Sequence, residues 1–137
     1  MSGLAAVLGG RHTPGVFRWH AAYDAAEVRH TVEHAGWIFG YVDGWTGGTE
    51  DDFHTAIAAA LGFPDHYGRN LDALWDCLTD LAEPTVLLWD GWGPLAHAEP
   101  DRFPRILRVL HDRTVEIPPF AVLLRGDGPE LEVESLD

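Results

Sequence analysis

The chain contains no lysine: all nine of its basic residues are arginine, set against twenty-two acids for a formal charge of −13. It has one cysteine, Cys77, which excludes an internal disulfide and fits a reducing compartment. Its neighbours Asp76 and Asp80 are acidic, the wrong setting for a reactive thiolate, so Cys77 reads as a small, partly buried hydrophobe. No apolar run approaches the ~20 residues that a bilayer span needs. The opening MSGLAAVLGGRHTPG has a short apolar stretch with no basic region before it, so no signal peptide and a cytoplasmic location are expected. GxGxxG, Walker, GxSxG and HExxH patterns are all missing, which removes the motif-based grounds for an enzyme or a cofactor.

The placement of the charge says more than its size. Residues 1–35 hold three arginines and three acids; the other six arginines and nineteen acids lie in 36–137. A surface of that kind repels nucleic acid and attracts basic proteins. Eight histidines invite a metal reading, and His66 with Asp72 and Asp76 offers a nominal ligand set. The remaining seven are scattered without a ligand motif, and the i,i+4 pair His30 and His34 suits only a weak surface site, so no functional metal is expected.

At 137 residues the chain is expected to be one domain. Met1 to Pro14 reads as a loose tail, Val16 to Ala21 as a short strand, and Asp24 as the cap of a helix running to about Ala35. Trp37 to Asp43 is a dense apolar strand followed by a Gly-rich turn. Thr49 with Asp52 approximates a capping box for a helix that buries Phe53, Ile57, Ala60 and Leu61 and stops at Gly62. Thr85 to Trp89 and Phe120 to Leu124 lack alternation, as strands covered on both sides do. Asp90 to Ala98 reads as a Gly/Pro loop, and Arg102 to Val115 as a helix with Phe103, Ile106, Leu107 and Leu110 inward. Arg102, Arg105 and Arg108 recur every three residues and read as a solvated ridge; Gly126 to Asp137 reads as an acidic tail or a last edge strand. This alternation argues for an α/β domain with a small parallel sheet of three core strands, and a fourth from an added βα unit in residues 1–35.

The most informative stretch is FPDHYGRNLDALWDCLTDL, Phe63 to Leu81. Asn70 is a good N-cap, and Asp72 and Asp76, four apart, share one helical face. Leu71, Leu74 and Leu78 fall opposite, toward a core. On spacing alone an acid pair is more often a solvated helix face than a site. Trp75, a large ring beside that edge, makes an aromatic-anchored acidic surface the sharper reading. Two other classes remain open at this point: a carboxylate-dependent hydrolase using Asp72, Asp76 and His66, and a binder of a basic toxin such as a DNase.

The run Pro64, Tyr67, Gly68, Asn70, Leu71, Asp72, Ala73, Leu74, Trp75, Asp76, Cys77, Leu78 and Thr79 resembles the barstar family of ribonuclease inhibitors, and the resemblance extends more weakly over Trp37 to Arg125. It implies a barstar-like fold for residues 36–137, and inhibition of a basic extracellular-type ribonuclease by an acidic loop and helix that plug its active site. It implies no catalysis, no cofactor, no nucleic-acid or membrane contact, and a monomer forming a 1:1 complex. The family's key acids map onto Asp72 and Asp76; His66, Tyr67, Gly68, Asn70, Trp75 and Thr79 fall in the contact region, and Asp112 and Glu116 align with acids at its fringe. Two positions depart from the pattern. His66 takes the place of an aromatic that enters the nuclease, and Arg69 stands where the family's type protein carries an acid.

Overall fold

Polar side chains set the starts of three helices. The Asp24 carboxylate accepts from the Glu27 amide, the Asn70 side chain accepts from the Ala73 amide, and Thr49 and Asp52 satisfy each other's backbone N–H in a full capping box. Each such cap contributes about 1 kcal/mol by pairing a donor that the helix itself cannot pair. Gly62, at φ 68°, ends the helix that Thr49 starts, in the left-handed conformation that costs glycine least.

The computed structural model describes residues 2–137. In chain order the elements are α1 (Ser2–Leu8), β1 (Val16–Trp19), α2 (Ala25–His34), β2 (Ile38–Asp43), α3 (Glu50–Leu61), α4 (Leu71–Thr79), β3 (Thr85–Asp90), α5 (Gly93–Ala98), α6 (Phe103–Thr114), β4 (Phe120–Arg125) and β5 (Glu134–Leu136). The strands form one sheet in the order β2-β3-β4-β1-β5, with every pairing parallel. The three expected core strands are adjacent, and β1 joins them beside β4 as the fourth. It is not the edge, because β5 flanks it, with Phe17 opposite Glu134 and Trp19 opposite Leu136.

Side chains alternate across the strands, so the sheet has two buried faces. On one, Leu87 and Trp89 of β3 and Phe120, Val122 and Leu124 of β4 pack with α3, α4, α5 and α6. On the other, Val86 and Leu88 of β3 and Ala121 and Leu123 of β4 pack with Leu4 and Val7 of α1 and Val28 and Val32 of α2. The continuous apolar strands are therefore explained by helices on both faces, and the second layer comes wholly from the N-terminal segment. Arg125 at the end of β4 fastens that segment: its Nη1 donates to the Ala21 and Tyr23 carbonyls at 3.1 and 2.5 Å, while Nη2 pairs with Asp90 at 2.9 Å.

Three expectations need correction. The segment before Pro14 is not a loose tail: Leu4 and Val7 are fully buried, and a Cβ on Gly3 would lie 2.8 Å from the Leu136 side chain. Met1 lies outside the described residues. The Asp90–Ala98 loop contains α5, because a proline in the first turn of a helix loses no hydrogen bond and Leu95 and Ala96 give it a buried side. Arg102 is no part of a solvated ridge; it pairs with Glu50 at 2.6 Å, while Arg105 and Arg108 are exposed. The C-terminal segment, open between tail and strand, ends in the short edge strand β5.

Candidate functional site

Helix α4 packs on α6 through Leu74 and Leu78, both fully buried, which turns Asp72 and Asp76 outward. Between the two helices lies an open groove of about 520 Å³, lined by Leu71, Asp72, Trp75, Asp76, Val109 and Asp112. The floor is apolar and the rim carries three carboxylates. Trp75 is half-buried, its ring forming part of the wall. Asp112 has two weak partners, Arg108 at 3.8 Å and His111 at 3.7 Å. Among the described residues neither Asp72 nor Asp76 has an ion-pair partner. The helix N-terminus offsets part of the charge of Asp72 in the first turn and less of that of Asp76; the rest is compensated from outside or by water.

The helix is anchored at both ends. Asn70 caps its start, and at its far end Arg113, 1% exposed, donates from Nε to the Leu78 carbonyl at 2.8 Å. A buried guanidinium on a C-terminal carbonyl completes the last turn and opposes the negative end of the helix dipole. Burial holds the Arg113 pKa below the ordinary arginine value, with Glu116 acting weakly against that. Thr79 bonds back to the Asp76 carbonyl at 2.8 Å, a local closure of the same turn. Cys77 is partly buried between these residues; burial, then the nearby Asp80 and Asp76, push its thiol pKa up.

The loop before α4 divides its residues. His66 and Gly68 are exposed, whereas Tyr67 is 9% exposed and packs edge-on against His54. Its hydroxyl lies 2.5 Å from His54 Nδ1; His54 Nε2 lies 3.0 Å from Glu50, which Arg102 holds at 2.6 Å. The hydrogen bond from Arg102 holds the Glu50 pKa below the usual carboxylate range, against its partial burial. An ionised Glu50 only accepts, so His54 donates from Nε2, and in the neutral imidazole Nδ1 then accepts from the Tyr67 hydroxyl. Burial raises the Tyr67 pKa strongly and keeps that donor protonated. On the outer side Arg69, at φ 55°, pairs with Asp51 at 2.7 Å and with the Thr55 hydroxyl.

The structure thus brings Asp72, Trp75, Asp76 and Asp112 to one groove. It puts His66 and Gly68 on the neighbouring loop, turns Tyr67 inward, and gives Asn70 and Thr79 structural bonds. Glu116 is exposed in the turn after α6 and does not line the groove. His66 is not a lining residue either, so no histidine–carboxylate set faces one cavity there. Among the described residues no three His, Cys, Asp or Glu side chains gather as metal ligands, and no helix is long and apolar enough to cross a membrane. Sequence reasoning missed His54, Glu50 and Arg113. The signal for His54 was its place one residue from Phe53 and three from Ile57, which is the margin of the buried stripe.

Comparison with known proteins meets this geometry from another side. A stretch of 26 residues, 19% of the chain, is 69% identical to "Putative ribonuclease inhibitor YrdF" of Bacillus subtilis (strain 168). That match spans 29% of the Bacillus protein, so it speaks for a shared segment. The family model described as Barstar (barnase inhibitor) matches residues 37–129, from just before β2 to beyond β4, and takes in α4, its groove and the preceding loop. The chain belongs to the barstar family.

Proposed function

We propose that this protein is an immunity protein that binds a basic ribonuclease one-to-one and blocks its active site with the 63–69 loop and the acidic face of α4. The observation that carries the reading is the pair Asp72 and Asp76, exposed and without internal cations on a helix anchored at both ends, beside Trp75 and Asp112. A ribonuclease site must hold phosphate oxygens and so presents arginine, lysine and histidine. Carboxylates on a rigid helix meet such cations in charge-assisted hydrogen bonds, and the half-buried Trp75 supplies apolar contact in the middle of the patch. His66 and Gly68, exposed on the loop, extend the same surface, with Asp112 and Glu116 at its margin. The reading places the complex in the cytoplasm of the cell that makes the inhibitor, with no metal or cofactor taking part and residues 1–35 outside the contact.

The test is inhibition of barnase by the wild-type chain, by Asp76→Ala and by the surface control Glu130→Ala. Truncating one side of a buried charge pair costs on the order of 2–5 kcal/mol, a general figure to which the barnase–barstar pair itself contributes. At about 1.4 kcal/mol per tenfold, Asp76→Ala weakens inhibition by a factor of tens to thousands, while its melt is unchanged or raised by relief of the Asp72–Asp76 repulsion. Equal inhibition by the two variants removes this mechanism.

A further inference from the structure

Tyr67 sits in the middle of the loop assigned to partner contact, yet its hydroxyl is committed to the interior. The bonds run Tyr67 to His54, His54 to Glu50 and Glu50 to Arg102, at 2.5, 3.0 and 2.6 Å, linking the loop through the first turn of α3 to the start of α6. The outer clamp also lands on α3: Arg69 donates to the Asp51 carboxylate and carbonyl and to Thr55. One residue further is Asn70, the cap of α4. Helix α3 gives no side chain to the acidic groove, but both of its links to the loop end where α4 begins.

We propose that this relay sets the loop in register with α4 and that His54 is a positioning residue for partner binding; the second half of the claim rests on the inhibitory function proposed above. A buried polar chain of this kind works as a unit, since removing one member leaves its neighbours unpaired in low dielectric. Arg69 strengthens the case from the backbone. A non-glycine residue at φ 55° is disfavoured, and here it is held by bonds to a neighbouring helix. A loop ordered before encounter spares the complex the ordering cost that a mobile one would bear on binding. If its competent fraction falls to about one tenth, the apparent Kd rises about tenfold although the bound interface is the same.

The experiment uses the full chain and three variants. Tyr67→Phe removes one hydroxyl, and His54→Gln breaks the chain at its centre. Val28→Ala, in α2 on the opposite face of the sheet, thins the core without touching the relay. Amide exchange is measured on the free proteins at residues 65–69 and in β3, and barnase inhibition is measured well below every melt. A residue that only contributes to stability leaves both readouts unmoved while the protein stays folded. The expected result is exchange at residues 65–69 faster by about tenfold or more in Tyr67→Phe and His54→Gln, with β3 protected, and inhibition weakened in parallel. Val28→Ala should lower the melt and alter neither the loop exchange nor the inhibition. Unchanged loop exchange in Tyr67→Phe and His54→Gln, or an equal change in Val28→Ala, overturns the positioning role. A wild-type chain that does not inhibit barnase counts against the proposed function, and the exchange result then upholds or overturns the ordering of the loop by itself.

Discussion

A chain shortened to begin at Trp37, where the family match starts, should fail to fold. Such a variant keeps β2, β3, β4 and the whole helical layer that carries the acidic groove, but loses α1, β1 and α2. The second face of the sheet is then bare. Phe39, Val86, Leu88 and Leu123 on that face are each at most 3% exposed in the full chain. Burying a side chain of that size contributes about 1.5–3 kcal/mol, so the four together are worth roughly 6–12 kcal/mol. Discounting by about a third for a compact unfolded chain leaves roughly 4–8 kcal/mol. Whole domains of this size are stable by only about 5–15 kcal/mol, and the shortened chain still bears the conformational cost of ordering everything it retains. The short strand β5 also loses its partner, and Arg125 loses two carbonyls. Near-UV circular dichroism during heating, with a dye that reports exposed apolar surface, is the direct assay. The expected outcome is no cooperative transition and strong dye binding for the shortened chain. A cooperative melt within about 5 °C of the full chain, equivalent to roughly 1 kcal/mol, would refute the argument that the N-terminal layer is part of the core.

Two further outcomes follow from the titrating groups. Cys77, with its thiol pKa raised first by burial and then by Asp80 and Asp76, should be alkylated much more slowly near pH 8 than a free thiol in the unfolded chain; equal rates would contradict the described packing. Burial alone would push Asp90 up, but the hydrogen bond and charge of Arg125 together with the Tyr41 hydrogen bond hold it low, and Glu50 is held low by Arg102. A depressed carboxylate stabilises the fold fully above its unfolded pKa, near 4, and that contribution is lost as pH falls through the folded value. Thermal melts should therefore hold level through neutral pH and drop below about pH 4. Glu50→Gln should make the drop shallower, and an unchanged acid limb in that variant would exclude Glu50 as a contributor.

What the sequence disclosed was mostly local. Asp24, Thr49 with Asp52, and Asn70 announce their helices because a cap depends on residues within one turn, and all three hold. β3 and β4 stood out because a strand buried on both faces has no polar positions. The acidic face of α4 followed from the spacing of Asp72 and Asp76 against Leu74 and Leu78. The misses are short or non-local. Helix α1 is one stripe of two buried side chains, and α5 opens on Gly93 and Pro94, which read as loop; β5, three residues with one of them buried, reads as either tail or edge strand. The relay beneath the loop joins Tyr67 to His54 thirteen residues away, and Glu50 to Arg102 fifty-two away, pairings that no periodicity encodes. Tyr67 could be placed on the loop but not turned inward, since direction depends on what α3 offers it.

The strand order has a bearing on how the protein is made. β2 and β3 can pair once the first ninety residues are available, with β4 following on their flank. β1 is synthesised before all of them, yet its only neighbours are β4 and β5, so Val16 meets Val122 and Trp19 meets Leu136. The first strand to leave the ribosome must therefore remain unpaired while the groove-bearing half assembles, and it can enter the sheet only when the last strands emerge. Pairings of such long sequence separation close slowly, because the intervening chain must be ordered before the contacts repay it. During that interval the edges of β1 have no partner strand, a window in which association with other chains competes with folding.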